Sequence, residues 1–193
     1  MVQEIAPGLR RWTSWHDHWE EQVGSVAVET ADGLVLIDPL DPPTGLASPK
    51  HVLLTVYWHA RAASGLKAGF WAPSRSRRPL QNRGVEAADV AGGKLPGGIV
   101  SFQTARAAEA VYWLPEQRAV VVGDVLLGAG AKPRATEDPL RLCPERWLGK
   151  ATHKDLRTSL RPLLDLPVEH VLVSHGAPVL GGGRRELERV LAG

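Results

Sequence analysis

The sequence predicts a mixed α/β fold of the α+β kind: two packed β-sheets flanked by outer helices, a four-layer αβ/βα sandwich. Three observations lead there. Strand-like segments dominate each half of the chain, each half closes on a helix-like segment, and no short repeat or heptad runs through either. The competing architecture, one doubly wound sheet, needs a helix after nearly every strand, and residues 34–54 and 99–124 offer none. At 193 residues the chain is expected to form one domain, residues 1–193.

Taken in order, residues 5–12 carry a Pro-Gly turn and then alternation. Residues 23–30 alternate with period two and run into the turn pair Asp32-Gly33, so the chain opens as hairpins. Leu34-Val-Leu-Ile-Asp38 reads as a short apolar strand ending in an acid, and a proline-rich connection, 39–49, leads to another, His51-Val-Leu-Leu-Thr55. Residues 57–67 suit a short helix and Gly69-Phe-Trp-Ala72 a buried strand. From 73 to 98 the pattern is weakest. Arg75, Arg77, Arg78 and Arg83 cluster there among Pro and Gly, and the stretch reads as a solvated loop, with an anion-binding patch as the alternative. Strands resume at 99–102, 109–114 and, after the turn Pro115-Glu-Gln-Arg118, at 119–124. Residues 142–148 read as an aromatic-bearing loop. Leu156, Leu160, Leu163 and Leu164 fall at helical spacing in a segment that Pro162 should end or kink. A strand over 168–174 and a helix over 184–192 complete the series.

Composition excludes several function classes. Apolar residues make up 44% and charged residues 23%, and no apolar run approaches the roughly 18–20 residues of a membrane span, so no membrane association is expected. The opening residues, Met1-Val-Gln-Glu-Ile-Ala-Pro-Gly8, lack the basic start and apolar stretch of a secretory signal, which makes a cytoplasmic location the expectation. Against 21 acidic residues stand 23 Lys and Arg, too small a surplus for a nucleic-acid binder. A lone Cys143 excludes both a disulfide framework and a multi-cysteine zinc site. Ser174 lacks the G-x-S-x-G turn of a nucleophile, and Gly181-Gly-Gly183 lacks the context of a phosphate loop.

Three strand-end segments stand in a telling order: Val52-Leu-Leu-Thr55, then Leu114-Pro-Glu-Gln-Arg-Ala-Val-Val-Val-Gly-Asp124, then Val171-Leu-Val-Ser-His-Gly176. With Ile5-Ala-Pro-Gly-Leu-Arg-Arg-Trp12 and Leu34-Val-Leu-Ile-Asp38 ahead of them, they resemble the metallo-β-lactamase superfamily over most of the chain. The resemblance implies the same αβ/βα sandwich. It also implies a metal site after the Thr, where the family reads His-x-His-x-Asp-His. Here the residues are Val56-Tyr-Trp-His-Ala-Arg61. Val56, Trp58, Ala60 and Arg61 occupy the four ligand positions, and none offers a lone pair to a metal. His59 lies one place out of register, which on a helical turn re-aims a side chain by about 100°. The family's next His falls at Ala105, beside Arg106. Asp124 matches the metal-bridging carboxylate and His175 the last ligand.

Two anchors do not complete a zinc site, which wants three or four protein ligands. One reading of Asp124 and His175 is therefore structural, a capped carboxylate and a core imidazole. An acid left between vanished cations needs another positive charge, and Arg61 or Arg106 is the expected partner of Asp124. The catalytic candidates are His59, Asp124 and His175, either as a mononuclear metal site or as metal-free acid–base chemistry. In the resembled fold the connection between the first strands overhangs the cleft. The segment Trp12-Thr-Ser-Trp-His-Asp-His-Trp19 would then bring Trp15, His16, His18 and Trp19 to a ligand, together with Trp58, Arg61 and Arg106. An aromatic cluster covering the sheet edge is the alternative. The expectation is a ligand-binding or regulatory pseudoenzyme of hydrolase ancestry, with a small-molecule ligand and no cofactor. The alternative is a repurposed hydrolase in which Asp124 and His175 retain zinc.

Overall fold

A computed structural model describes residues 2–17, 19–91 and 94–192 of the chain. Seven strands of the first half pair in chain order: β1 (Val2–Ala6), β2 (Leu9–His16), β3 (Glu21–Thr30), β4 (Gly33–Ile37), β5 (His51–Leu53), β6 (Gly69–Ala72) and β7 (Ala87–Asp89). The first four are antiparallel, and β4 through β7 run parallel. The second half supplies β8 (Val100–Gln103), β9 (Ala110–Leu114), β10 (Ala119–Val122), β13 (His170–Val173) and β14 (Val179–Leu180), arranged β14-β13-β10-β9-β8 with β10 and β13 parallel. A ribbon of β11 (Leu126–Gly128) and β12 (Leu140–Leu142) stands apart. The helices are α1 (Ser74–Gln81), α2 (His153–Leu160) and α3 (Gly183–Leu191).

The layering follows from which face each side chain takes. In β4, Val35 and Ile37 join Leu9, Val26 and Leu53 against Tyr112, Leu114, Val121 and Leu172 of the second sheet. Their neighbours Leu34 and Leu36 turn the other way, with Val52 and Leu54, onto Leu80 and Val85 at α1. In β9 and β10, Val111, Trp113, Val120 and Val122 face away from the first sheet onto Leu156, Leu160, Leu187 and Leu191 of α2 and α3. Strands covered on both faces lose polar alternation, which is why these segments read as unbroken apolar runs. The order is helix, sheet, sheet, helix, the sandwich expected.

Three sequence expectations are corrected. The segment 73–98 is not a solvated loop throughout: it contains α1 and β7. Only Ser76 and Leu80 of α1 are buried, spaced four apart, so a helix with one anchoring face hides in a run of exposed arginines. The short helix expected over 57–67 is instead two 3-10 turns, Tyr57–Ala60 and Ala63–Gly65. The loop expected over 142–148 begins in β12 and contains a 3-10 turn, Glu145–Leu148. Downstream, a reciprocal Thr152–Asp155 capping box starts α2, and Pro162 sits in the 3-10 turn that follows the helix. No helix among the described residues is long and apolar enough to cross a membrane.

Candidate metal centre

The parallel strands of both sheets end at one place. Val122 of β10 pairs with Val173 of β13, so Asp124 and His175, each two residues further on, emerge side by side. In the other sheet Ile37 pairs with Leu53, which puts Asp38 beside Thr55 and the turn Tyr57–Ala60. The Thr55 amide donates to Asp38 Oδ1 at 2.8 Å and its hydroxyl to Oδ2 at 2.6 Å. A bridge from Val23 to His175 and a bond from the Gly24 amide to Ser174 O at 2.8 Å tie β3 across the gap. Carboxyl ends of parallel strands are where such sheets leave a crevice. Here it is a cavity of about 220 Å³ lined by His16, Trp19, Trp58, His59, Arg61, Asp124 and His175.

Three donor atoms converge in it. Asp124 Oδ1 lies 3.1 Å from His59 Nε2 and 3.3 Å from His175 Nε2. Yet neither contact has the alignment of a hydrogen bond, and Oδ1 is enclosed with no hydrogen-bond partner. Both imidazoles are gripped from behind by a carboxylate: His59 Nδ1 by Asp38 Oδ2 at 2.8 Å, His175 Nδ1 by Glu21 Oε1 at 2.5 Å. Such carboxylate–histidine pairs fix the ring and turn Nε2 toward a metal. Donors about 2.0–2.2 Å from a tetrahedral zinc stand roughly 3.3–3.5 Å apart, close to the spacing of Oδ1 from the two rings. Residues His59, Asp124 and His175 therefore fit a metal ion as a three-ligand set, their donor atoms all within 4.8 Å of one another.

The acid is fixed from two further sides. Trp58 Nε1 donates to Asp124 Oδ2 at 2.7 Å, and Glu109 Oε1 accepts from the amides of Asp124 at 2.5 Å and Val125 at 3.0 Å. Arg106 pairs with Glu109 at 3.2 Å and lies over the Trp58 indole, 4.5 Å from its centroid. Gly123 leaves the room this needs, because a Cβ there would fall 2.5 Å from Glu109 Oε1 and 2.6 Å from Thr55 Oγ1.

Charge among these side chains is mutually supported. Burial opposes protonation of His59, but the charges of Asp124 and Asp38 prevail over it and over the repulsion of Arg61, raising its pKa to about 9. His175 is likewise raised, burial being outweighed by its contacts with Asp124 and Glu21. Asp124 is held well below the usual carboxylate range, since the two imidazoles overcome the cost of burying it. Glu109, fully buried and near Asp124, is pushed up to about 7.

The structure gathers most of the residues singled out in the sequence. His59 is brought in despite its register: the tight 3-10 turn aims it at Asp38 and Asp124 while Val56 and Ala60 turn into the core. Neither Arg61 nor Arg106 pairs with Asp124, contrary to expectation, because the two imidazoles take that role. Arg61 donates to the carbonyls of Gly24 and Asp38 at 3.1 and 3.2 Å from the cavity wall. Arg106 stands behind Trp58 and outside the lining. His16 and Trp19 line the cavity, Trp19 edge-on to both His175 and Trp147. Trp15 is 57% exposed, off the lining on β2, and His18 lies outside the described residues. Glu21, Asp38 and Glu109 were not singled out. A buried acid that ends or precedes an all-apolar strand, as Asp38 and Glu109 do, is the signal that marks two of them.

No protein-family profile and no curated protein matches the sequence. Solved structures do match in shape. DIM-1 metallo-β-lactamase exposed to ceftazidime superposes with a TM-score of 0.69 at 11% identity, over 100% of this chain and 96% of that one. The metallo-β-lactamase from Erythrobacter litoralis with β-mercaptoethanol in its active site gives 0.67 at 17%, over 99% and 94%. The FIM-1 enzyme from Pseudomonas aeruginosa in its mono-zinc form gives 0.65 at 17%, over 100% and 92%. The chain, with its two sheets, outer helices and strand-end cavity, has the fold of the metallo-β-lactamases.

Proposed function

We propose that this chain is a hydrolase of metallo-β-lactamase ancestry that works with a single metal ion held by His59, Asp124 and His175. One observation carries the reading: an enclosed, unbonded carboxylate oxygen faces two Nε2 atoms, each on a ring whose other nitrogen is held by a buried acid. That arrangement is costly as a plain core network, because an enclosed acceptor without a bond forfeits about 1–3 kcal/mol. A divalent ion, zinc by the chemistry of the donors, would supply Lewis-acid polarisation and water activation. The chain's own residues orient the ligands. Asp38 and Glu21 fix the two rings, and Trp58 occupies Asp124 Oδ2 so that Oδ1 alone is presented. Val56, Trp58, Ala60 and Ala105 carry no ligating atom at the remaining family positions, which favours one ion over two. One solved structure of this fold is itself described as a mono-zinc form.

A second reading, a ligand-binding pseudoenzyme without metal, is favoured by the raised pKa values of His59 and His175, which already balance Asp124 by charge. Elemental analysis of chain purified without chelators, followed by zinc titration, separates the two. The first reading expects one zinc per chain, lost in His175→Ala and His59→Ala; no zinc above background in the wild type selects the second.

A further inference from the structure

Arg11 lies on the inner face of β2, two residues after Leu9 of the core between the sheets, where period two calls for another apolar side chain. It is 7% exposed. Room for its guanidinium comes from Gly24, where a Cβ would stand 2.6 Å from Nη2 and 2.9 Å from Cζ. Nη2 donates to the carbonyls of Val173 at 3.3 Å and Gly176 at 3.2 Å, on either side of His175. Nε is enclosed without a hydrogen-bond partner, while Nη1 has no partner among the described residues and is not sealed from solvent. The charges of Asp38 and Asp124 support Arg61, but no carboxylate supports Arg11: burial acts on it alone and pushes its pKa down to about 10. A guanidinium that keeps its charge inside the fold without an acid is costly.

Arg11 opens on a cleft of about 370 Å³ behind His175, which shares no lining residue with the metal cavity. Thr13, next on the same face of β2, and Gln22 of β3 bring a hydroxyl and a side-chain amide to it, both without a partner among the described residues. Ala129, Ala177 and Pro178 make up an apolar side. Glu21 closes the cleft toward His175, one oxygen held by the His175 ring and the other by the Lys132 amide.

We infer that this cleft binds a small monocarboxylate with a short apolar tail, its carboxylate on Arg11 Nη1 and the Thr13 hydroxyl and its tail against Ala177 and Pro178. A planar guanidinium and a planar carboxylate form the stronger, charge-assisted kind of hydrogen bond, and the anion supplies the counter-charge that Arg11 lacks. The negative wall of Glu21 favours a single charge over a doubly charged phosphate. A volume of about 370 Å³ stands at the low end of the roughly 300–1,000 Å³ of small-molecule sites. The site is independent of the metal-centre reading.

Nitrogen-15 NMR titration of the full chain, zinc-free and after incubation with zinc, tests this with butyrate, its uncharged counterpart butyramide, and inorganic phosphate. Butyrate is expected to shift the Thr13, Gly130 and Ala177 amides saturably and to bind about tenfold or more tighter than the other two, the loss when a charged hydrogen-bond pair is missing. Thr13→Val, which removes one neutral hydrogen bond, should weaken butyrate about fivefold, and Arg11→Lys, which keeps charge but not the planar group, about tenfold. Equal binding of butyrate and butyramide overturns the inference, as does a preference for phosphate or unchanged butyrate affinity in either variant. Shifts centred on Trp58, Asp124 and His175 overturn it too, by placing the anion in the metal cavity. If Arg11→Lys does not fold, the wild-type ligand series and Thr13→Val still decide. Butyrate selectivity in a chain that takes up no zinc would leave this site standing and defeat the metal-centre reading. Zinc uptake without butyrate selectivity would defeat only this one.

Discussion

His59 is a fully enclosed imidazole whose charge depends on Asp38 and Asp124, so the metal-free chain should report their contest as a pH dependence. A histidine raised from 6.5 to about 9 binds its proton more tightly folded than unfolded. Its contribution to stability is complete below pH about 6.5 and is lost as pH rises through about 9. Glu109, raised from 4.5 to about 7, acts in the same direction, since its folded form also holds the proton longer. For His59 alone the span amounts to about 3 kcal/mol. Urea unfolding of zinc-free protein should therefore show a midpoint that falls steadily between pH 6 and 9.5, and His59→Gln should flatten the slope. A midpoint unchanged across that range would mean that His59 is neutral in the fold.

Among the elements, the strands were legible and α1 was not, for a physical reason. Strands such as β4, β9 and β10 are covered on both faces, so their apolar runs announce them. In Ser-Arg-Ser-Arg-Arg-Pro-Leu-Gln only Ser76 and Leu80 are buried, and two residues four apart in a charged segment make no visible period. The site divides likewise. Asp124 and His175 follow parallel strands and could be placed from sequence. His59 could not, because its aim depends on a 3-10 turn rather than the α-helical turn its neighbours imply. The acids that hold the two rings are remote as well: Asp38 is 21 residues from His59 and Glu21 is 154 from His175, distances no local pattern spans. Leu80→Ala tests α1 as an element. If the helix packs Leu80 against Leu54 and Val85, truncation should cost about 2–5 kcal/mol, and at about 2–4 °C per kcal/mol for this size the melting temperature should fall by roughly 4–20 °C. A solvated loop would lose almost nothing.

For the molecule as a whole, the centre draws His59 from the end of one sheet and Asp124 and His175 from the end of the other, so an ion bound there should stabilise the entire sandwich. An ion that binds only the folded chain adds stability in proportion to the logarithm of its concentration over its dissociation constant, about 2.7 kcal/mol at a hundredfold excess. At 2–4 °C per kcal/mol, that is a rise of roughly 5–10 °C in melting temperature. The pH response should have the opposite sign to that of the metal-free chain. His59 and His175 must give up their Nε2 protons to act as ligands, and both hold them above the ordinary imidazole range, so zinc competes poorly at pH 6 and well at pH 9. Melting curves with and without zinc should therefore diverge as pH rises, the zinc-free curve falling while the zinc-dependent gain grows. Chelator should collapse the gain, and His175→Ala should abolish it at every pH. A zinc effect of equal size at pH 6 and pH 9, or one that survives in His175→Ala, would place the ion at some other point on the surface.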